Sequence, residues 1–275
     1  MKIIFFGSTG YVLPILELLF NKYDLALIIT TENNDTDPVR YFAKKNSIQV
    51  AAIDSLQQKG IQKSIQSVNP DVAILASFGL LIPKIVLDMF PKGIINLHPS
   101  LLPKYRGPTP VQTALLNGDN TTGISIIKLD NELDHGPVLG FEKLPISLDD
   151  TNVTLHNSLF SIGASLLQDL LPQYMSGTLV PNEQQHNLAT YTNRLERKDG
   201  YINMTNPPSK EIINRMIRAF TPWPGVWTKL SIKGKLKIVK LLPENKIQVE
   251  GKKQMSFREF LNGYPTESEK LKQII

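Results

Sequence analysis

Asn96 and His98 are the first residues in this chain whose types and spacing suit chemistry. Alternate residues of a strand leave the same face, so a strand over 93–98 presents the amide and the imidazole side by side. They also stand at that strand's C-terminal end, the edge where open α/β sheets take their ligands. When an amine attacks an acyl carbon, a negative oxygen develops, and an Asn N–H and a His N–H can both donate to it. A neutral imidazole can also accept the amine's proton. A carboxylate beside it would orient the ring and hold the imidazolium. The set suits acyl transfer to an amine. Three carboxylates, Asp130, Glu132 and Asp134, lie in the loop after the next strand, and spacing does not choose among them. With no cysteine and no G-x-S-x-G there is no covalent nucleophile of the usual type, which favours direct transfer.

Beyond His98 the chain reads Pro99-Ser100-Leu101-Leu102-Pro103-Lys104-Tyr105-Arg106-Gly107. Pro99 cannot donate to a ladder and turns the strand out into a loop. Two prolines bracketing Ser100–Leu102 stiffen that loop, so its backbone N–H and C=O groups are presented in fixed positions, as suits a flat heterocycle. The other histidines, His135, His156 and His186, read as surface or helix-face residues, and the four together have no metal-site spacing.

The elements that must position these residues follow from periodicity. Strands are expected at 2–7, 25–30, 48–53, 71–78, 93–98 and 123–130, and helices at 11–20, 61–68 and 110–117, with another beginning after Pro83. This alternation predicts an α/β fold, a doubly wound, mostly parallel, Rossmann-like sheet. A long helix over 151–177 closes it. A polar stretch with little periodicity, 178–208, reads as an extended linker. Ser209 is an N-cap for a helix over 210–220, which Thr221-Pro222-Trp223-Pro224-Gly225 stops. Short alternating runs at 227–232, 236–241 and 246–249 predict a small β-rich second domain. The expected division is a catalytic domain at 1–180, a linker at 181–207 and a small domain at 208–275. Gly7-Ser8-Thr9-Gly10 lacks the third glycine of a dinucleotide fingerprint and reads as a turn.

The chain has 275 residues, 41% hydrophobic and 20% charged, the balance of a folded water-soluble protein. No run approaches the ~20 consecutive apolar residues a bilayer crossing needs, and the apolar N-terminal run is expected to be a first strand rather than a leader. Zero cysteines fit a reducing cytoplasm. Charge is uneven: residues 207–275 hold 14 Lys and Arg against 6 Asp and Glu, a net +8, which leaves 16 against 19 and a net −3 on the rest. A basic tail on a mildly acidic body points to a polyanionic partner.

Ala76-Ser77-Phe78-Gly79-Leu80-Leu81-Ile82-Pro83, then 96–107, then Leu133-Asp134-His135-Gly136, resemble the formyltransferase core shared by enzymes that use 10-formyltetrahydrofolate. The resemblance implies that Asn96, His98 and Asp134 form the catalytic triad, Asp134 occupying the Leu-Asp-x-Gly position. It also implies that Ser100, Leu101, Leu102 and Pro103 bind tetrahydrofolate. Arg194–Gly200, Ile213–Phe220, Pro222–Gly225 and the stretch from Gly251 to Gly263 resemble the second half of the methionyl-tRNA formyltransferases. That implies an OB-like tail domain contacting tRNA, in agreement with the basic tail, and formylation of charged initiator tRNA by a cytoplasmic monomer with no membrane or metal. The alternative is an N-formyltransferase acting on a nucleotide-linked amino sugar. Two features depart from the family pattern: the loop over 31–40 is short and acidic, and about 50 residues after Pro224 are lean for a five-stranded barrel.

Overall fold

The computed structural model describes residues 1–31, 34 and 36–272. The acidic 31–40 loop therefore lies partly outside the described residues. The chain divides into two units, the first made of Met1–Pro110, Thr121–Pro145 and His156–Thr192.

The first unit is built on strands whose sequences are almost wholly apolar. In β1 (Lys2–Gly7), β4 (Val72–Ala76) and β5 (Ile94–His98) every residue but Lys2 is buried, the pattern of strands covered on both faces. With β2 (Asp24–Thr30), β3 (Gln49–Ala52), β6 (Thr121–Lys128) and β7 (Val138–Pro145) they form one seven-stranded sheet in the order β3-β2-β1-β4-β5-β6-β7. The first five strands run parallel; β6 and β7 are antiparallel additions. The chain thus starts in the sheet centre, steps out through β2 and β3, and returns to the other side at β4. Helices α1 (Leu13–Lys22), α2 (Pro38–Lys45), α3 (Lys59–Val68) and α4 (Lys84–Leu87) fill the crossovers.

Pro14 falls at the start of α1, where a missing N–H costs nothing, and Asp37 caps α2 by accepting the Arg40 N–H at 3.0 Å. One face of the sheet is packed around Phe6, which meets Phe78 and Phe90 edge-on at 5.3 and 6.0 Å. After α5 (Pro110–Asn117), the 25-residue α6 (Asn152–Ser176) buries Leu159, Phe160, Leu167 and Leu171.

The second unit comprises Val111–Asn120, Ile146–Leu155 and Asn193–Ile275. Its α7 (Lys210–Ala219) starts on Ser209, whose hydroxyl accepts the Ile212 N–H, and buries Ile213, Met216 and Ile217. Strands β8 (Val226–Ile232), β9 (Lys235–Leu242), β10 (Lys246–Val249) and β11 (Met255–Ser256) form an antiparallel sheet in the order β11-β10-β9-β8, followed by α8 (Phe257–Gly263) and α9 (Pro265–Lys272). This is the small β-rich module anticipated in the tail. Among the described residues it has four strands, one of two residues, in keeping with a tail too short for a five-stranded barrel.

The periodicity did not reveal α2, β7, β11, α8 or α9. For β7 the reason is its place at the sheet edge: β6 is its one neighbouring strand in the sheet, and its consecutive residues Phe141, Glu142 and Lys143 are all exposed, which erases the two-residue alternation.

Candidate active site

β5 delivers Asn96 and His98 to one face, as the two-residue period requires, and both are buried. The carboxylate that meets them is Asp134. Asn96 Nδ2 donates to Asp134 Oδ1 at 3.2 Å, and His98 Nδ1 lies 3.5 Å from Asp134 Oδ2. The other two carboxylates of that loop are elsewhere. Asp130 holds His135 Nδ1 at 2.6 Å with its side chain 35% exposed, and Glu132 is 72% exposed. What spacing left open among three acids is closed by burial and reach: Asp134 is the one that faces the ring.

Local backbone explains how. Asp134 adopts a left-handed φ of +48°, which aims its side chain back across the loop. Its Oδ2 accepts the Gly107 backbone N–H at 2.8 Å. Gly107 itself has φ +105°, and a Cβ there would come within 2.9 Å of the Thr192 carbonyl, so only glycine lets this amide face the carboxylate without strain. Both oxygens of Asp134 are thus engaged, one by a side chain of β5 and one by the loop that follows β5.

That loop is held from two sides. Ser125 of β6, paired with His98 across the sheet, donates its hydroxyl to Ser100 O at 2.7 Å and accepts Leu102 N–H at 3.1 Å. On the other side, Arg106 N donates to Thr190 O and Thr192 N to Arg106 O, at 2.9 and 2.8 Å. Of the four residues expected to contact folate, Leu101, Leu102 and Pro103 are half-buried. Ser100 is turned inward, its hydroxyl donating to Lys104 O at 2.7 Å and closing the loop.

His98 Nε2 lies 2.9 Å from Tyr105 O. A carbonyl only accepts, so Nε2 is the nitrogen that carries the proton here. The histidines expected to be peripheral include two that are linked to this region. His135 and His186 stack at 3.9 Å and 5°, and His186 Nδ1 accepts from Arg106 Nη2 at 2.9 Å. His156, on α6, stacks on Tyr11. Sequence reasoning gave no role to Arg106 and Gly107, though both stand in the 96–107 stretch, and passed over Ser125 and Gln184. The arginine and the glutamine are polar residues in segments without periodicity, which carry no local sign of burial, and both are buried.

Residues 16–171 match the family model described as formyl transferase, and residues 194–246 match the formyl transferase C-terminal domain. The chain belongs to the formyltransferase family. Among curated formyltransferases it is 34% identical to the methionyl-tRNA formyltransferase of Dictyoglomus turgidum, over 96% of each chain. It is 35% identical to that of a Roseiflexus species, over 83% of this chain and 73% of the relative. Solved formyltransferases share its fold. A 4-N formyltransferase from Francisella tularensis superposes with a TM-score of 0.70 at 18% identity, covering 88% of this chain and 98% of its own. Phosphoribosylglycinamide formyltransferase from Bacillus halodurans gives 0.58 at 23%, covering 65% of this chain and 97% of its own.

Proposed function

We propose that this formyltransferase moves the formyl group of 10-formyltetrahydrofolate to the α-amino group of methionyl-tRNA. The observation that carries the reading is the buried Asn96–His98–Asp134 cluster in a chain whose end-to-end likeness is to methionyl-tRNA formyltransferases. The amine nitrogen attacks the formyl carbon, forming the new C–N bond and leaving the negative charge on the formyl oxygen. Asn96, whose amide has two N–H groups and spends one on Asp134, donates to that oxygen, an interaction worth about 3 kcal/mol at the transition state. Once the ring proton has moved to Nδ1 beside Asp134 and Nε2 has left Tyr105 O, His98 Nε2 takes the amine's proton and returns it to folate N10 as the carbon–N10 bond breaks. The products are the N-formyl amine and tetrahydrofolate. Asp134 stays ionised and stabilises the imidazolium through its Nδ1–H while the ring carries charge. Leu101, Leu102 and Pro103 line the folate side.

In this reading the chemistry belongs to 1–180 together with the 184–192 stretch that packs on its site loops, and the RNA contact to the basic 208–275. The enzyme works as a monomer in the cytoplasm, where charged initiator tRNA is found. The deciding experiment supplies charged initiator tRNA and a nucleotide-linked amino sugar in parallel with the folate donor. Formyl-methionyl-tRNA formed at saturating folate supports the reading. Formylated sugar with untouched tRNA would move the assignment to the amino-sugar class, which the short acidic 31–40 loop favours.

A further inference from the structure

We infer that Gln184, gripped by the buried Arg106 guanidinium, is a positioning residue for Asp134. The inference rests on the proposed role of Asp134 in formyl transfer.

Gln184 lies in the aperiodic stretch after α6 and is 7% exposed. Its Nε2 donates to Asp134 O at 2.9 Å and to Gly136 O at 2.7 Å, so one amide bridges the two carbonyls that flank His135. Its Oε1 accepts from Arg106 Nη2 at 2.8 Å and Nε at 3.3 Å. The orientation of the amide is therefore determined from both ends: arginine can only donate and the two carbonyls can only accept. A reversed amide would set its N–H groups against the guanidinium and its oxygen against two carbonyls.

Arg106 is 1% exposed and its other partners are neutral: His186 Nδ1 at 2.9 Å, the Tyr191 hydroxyl at 3.3 Å, and the Tyr191 ring face at 5.9 Å. A guanidinium is costly to bury, and here much of its hydrogen bonding is spent orienting one glutamine. Three links run from Arg106–Gly107 to the Asp134 turn. Gln184 holds the turn's backbone. His186 stacks on His135, the residue next to Asp134. The Gly107 N–H takes the carboxylate itself. The turn needs such support because Asp134 sits at a left-handed φ, and because Gly136 is packed so closely on Lys128 O that a Cβ could not be accommodated. With the amide bridge removed, the turn relaxes toward ordinary φ values and carries the carboxylate away from His98. Misplacement of a reacting group by about 1 Å can cost on the order of 100-fold in rate.

The test is Gln184→Glu, which keeps the acceptor for Arg106 and replaces both N–H donors with carboxylate oxygen facing two carbonyls. Its kcat is expected to fall by roughly 10- to 100-fold while KM for folate and for the acceptor each stay within about threefold. On an Asp134→Asn background the same substitution is expected to cost little more, since a residue acting through Asp134 has nothing left to position. Gln184→Asn, an amide too short to span the carbonyls, should show the same kcat loss and decides the matter if the glutamate variant does not fold. Wild-type kcat in folded variants, or an equal loss with and without Asp134, would overturn the inference. The two failures are distinguishable: a fully active Asp134→Asn removes the role of Asp134 itself, whereas an inactive Asp134→Asn beside an active Gln184→Glu removes only the positioning role.

Discussion

His98 Nε2 and the Tyr105 carbonyl oxygen lie 2.9 Å apart, so the ring nitrogen available to a substrate is occupied by the enzyme's own backbone. For Nε2 to accept a proton from an amine, this hydrogen bond must break and the ring's proton must move to Nδ1. Asp134 Oδ2, 3.5 Å from Nδ1, is the acceptor that stabilises the reversed tautomer.

Asp134→Asn and His98→Ala are each expected to lower kcat on the order of 10²- to 10⁴-fold, as when a base loses the group that orders its tautomer. Asn96→Ala is expected to cost on the order of 10²- to 10³-fold through removal of the oxyanion donor. Single-turnover formylation by variants of unchanged circular dichroism checks this; rates near wild type would remove the assigned roles.

Gly107→Ala places a Cβ against Thr192 at a backbone angle L side chains rarely adopt. A cost of about 1–3 kcal/mol of stability is expected, together with a kcat loss, because the strained amide no longer meets Asp134. Thermal melting and steady-state kinetics on one preparation would show both falling together, and an unchanged kcat would mean this N–H is not needed to hold the carboxylate.

Lys229, Lys235 and Lys240 are exposed on β8 and β9. Their joint replacement by alanine is expected to raise KM for charged tRNA and leave kcat alone. The slope of log affinity against log salt should become shallower by roughly 0.9 for each phosphate that these lysines no longer neutralise. An unaltered slope would place the RNA-binding surface elsewhere.

Ser256 and Glu259 form a capping box at the start of α8: Glu259 N–H donates to Ser256 Oγ, and the serine N–H and hydroxyl donate to Glu259 Oε2 at 2.7 and 2.8 Å. These bonds hold the Glu259 carboxyl below its ordinary value of 4.5. A depressed folded value means stabilisation that is full above about pH 4.5 and lost as pH falls through the folded value. Glu259→Gln should therefore lower Tm at pH 7 and leave it unchanged in strong acid. A difference in Tm that persists at low pH would contradict the charge-assisted cap.

Much of the first unit was legible because β1, β4 and β5 are short apolar runs punctuated by glycine and proline, and burial on both faces writes itself into composition. Asn96 and His98 were legible for the same reason: polar side chains at the end of such a strand stand out, and the strand's period places them together. Asp134 was not separable from Asp130 and Glu132 by spacing, because which loop carboxylate turns inward depends on one left-handed residue and on Gly107, 27 residues earlier. Only the family resemblance named it.

By itself the amino-acid order determined the alternation of strands and helices, the same-face pair on β5 and the basic tail, all of which arise from local periodicity and composition. The tertiary structure decided which carboxylate serves the pair, that Ser100 faces inward, and that Arg106 and Gln184 are core residues. These depend on hydrogen bonds spanning 27 to 86 residues, among polar groups that carry no periodic signal and acquire partners only when distant loops meet.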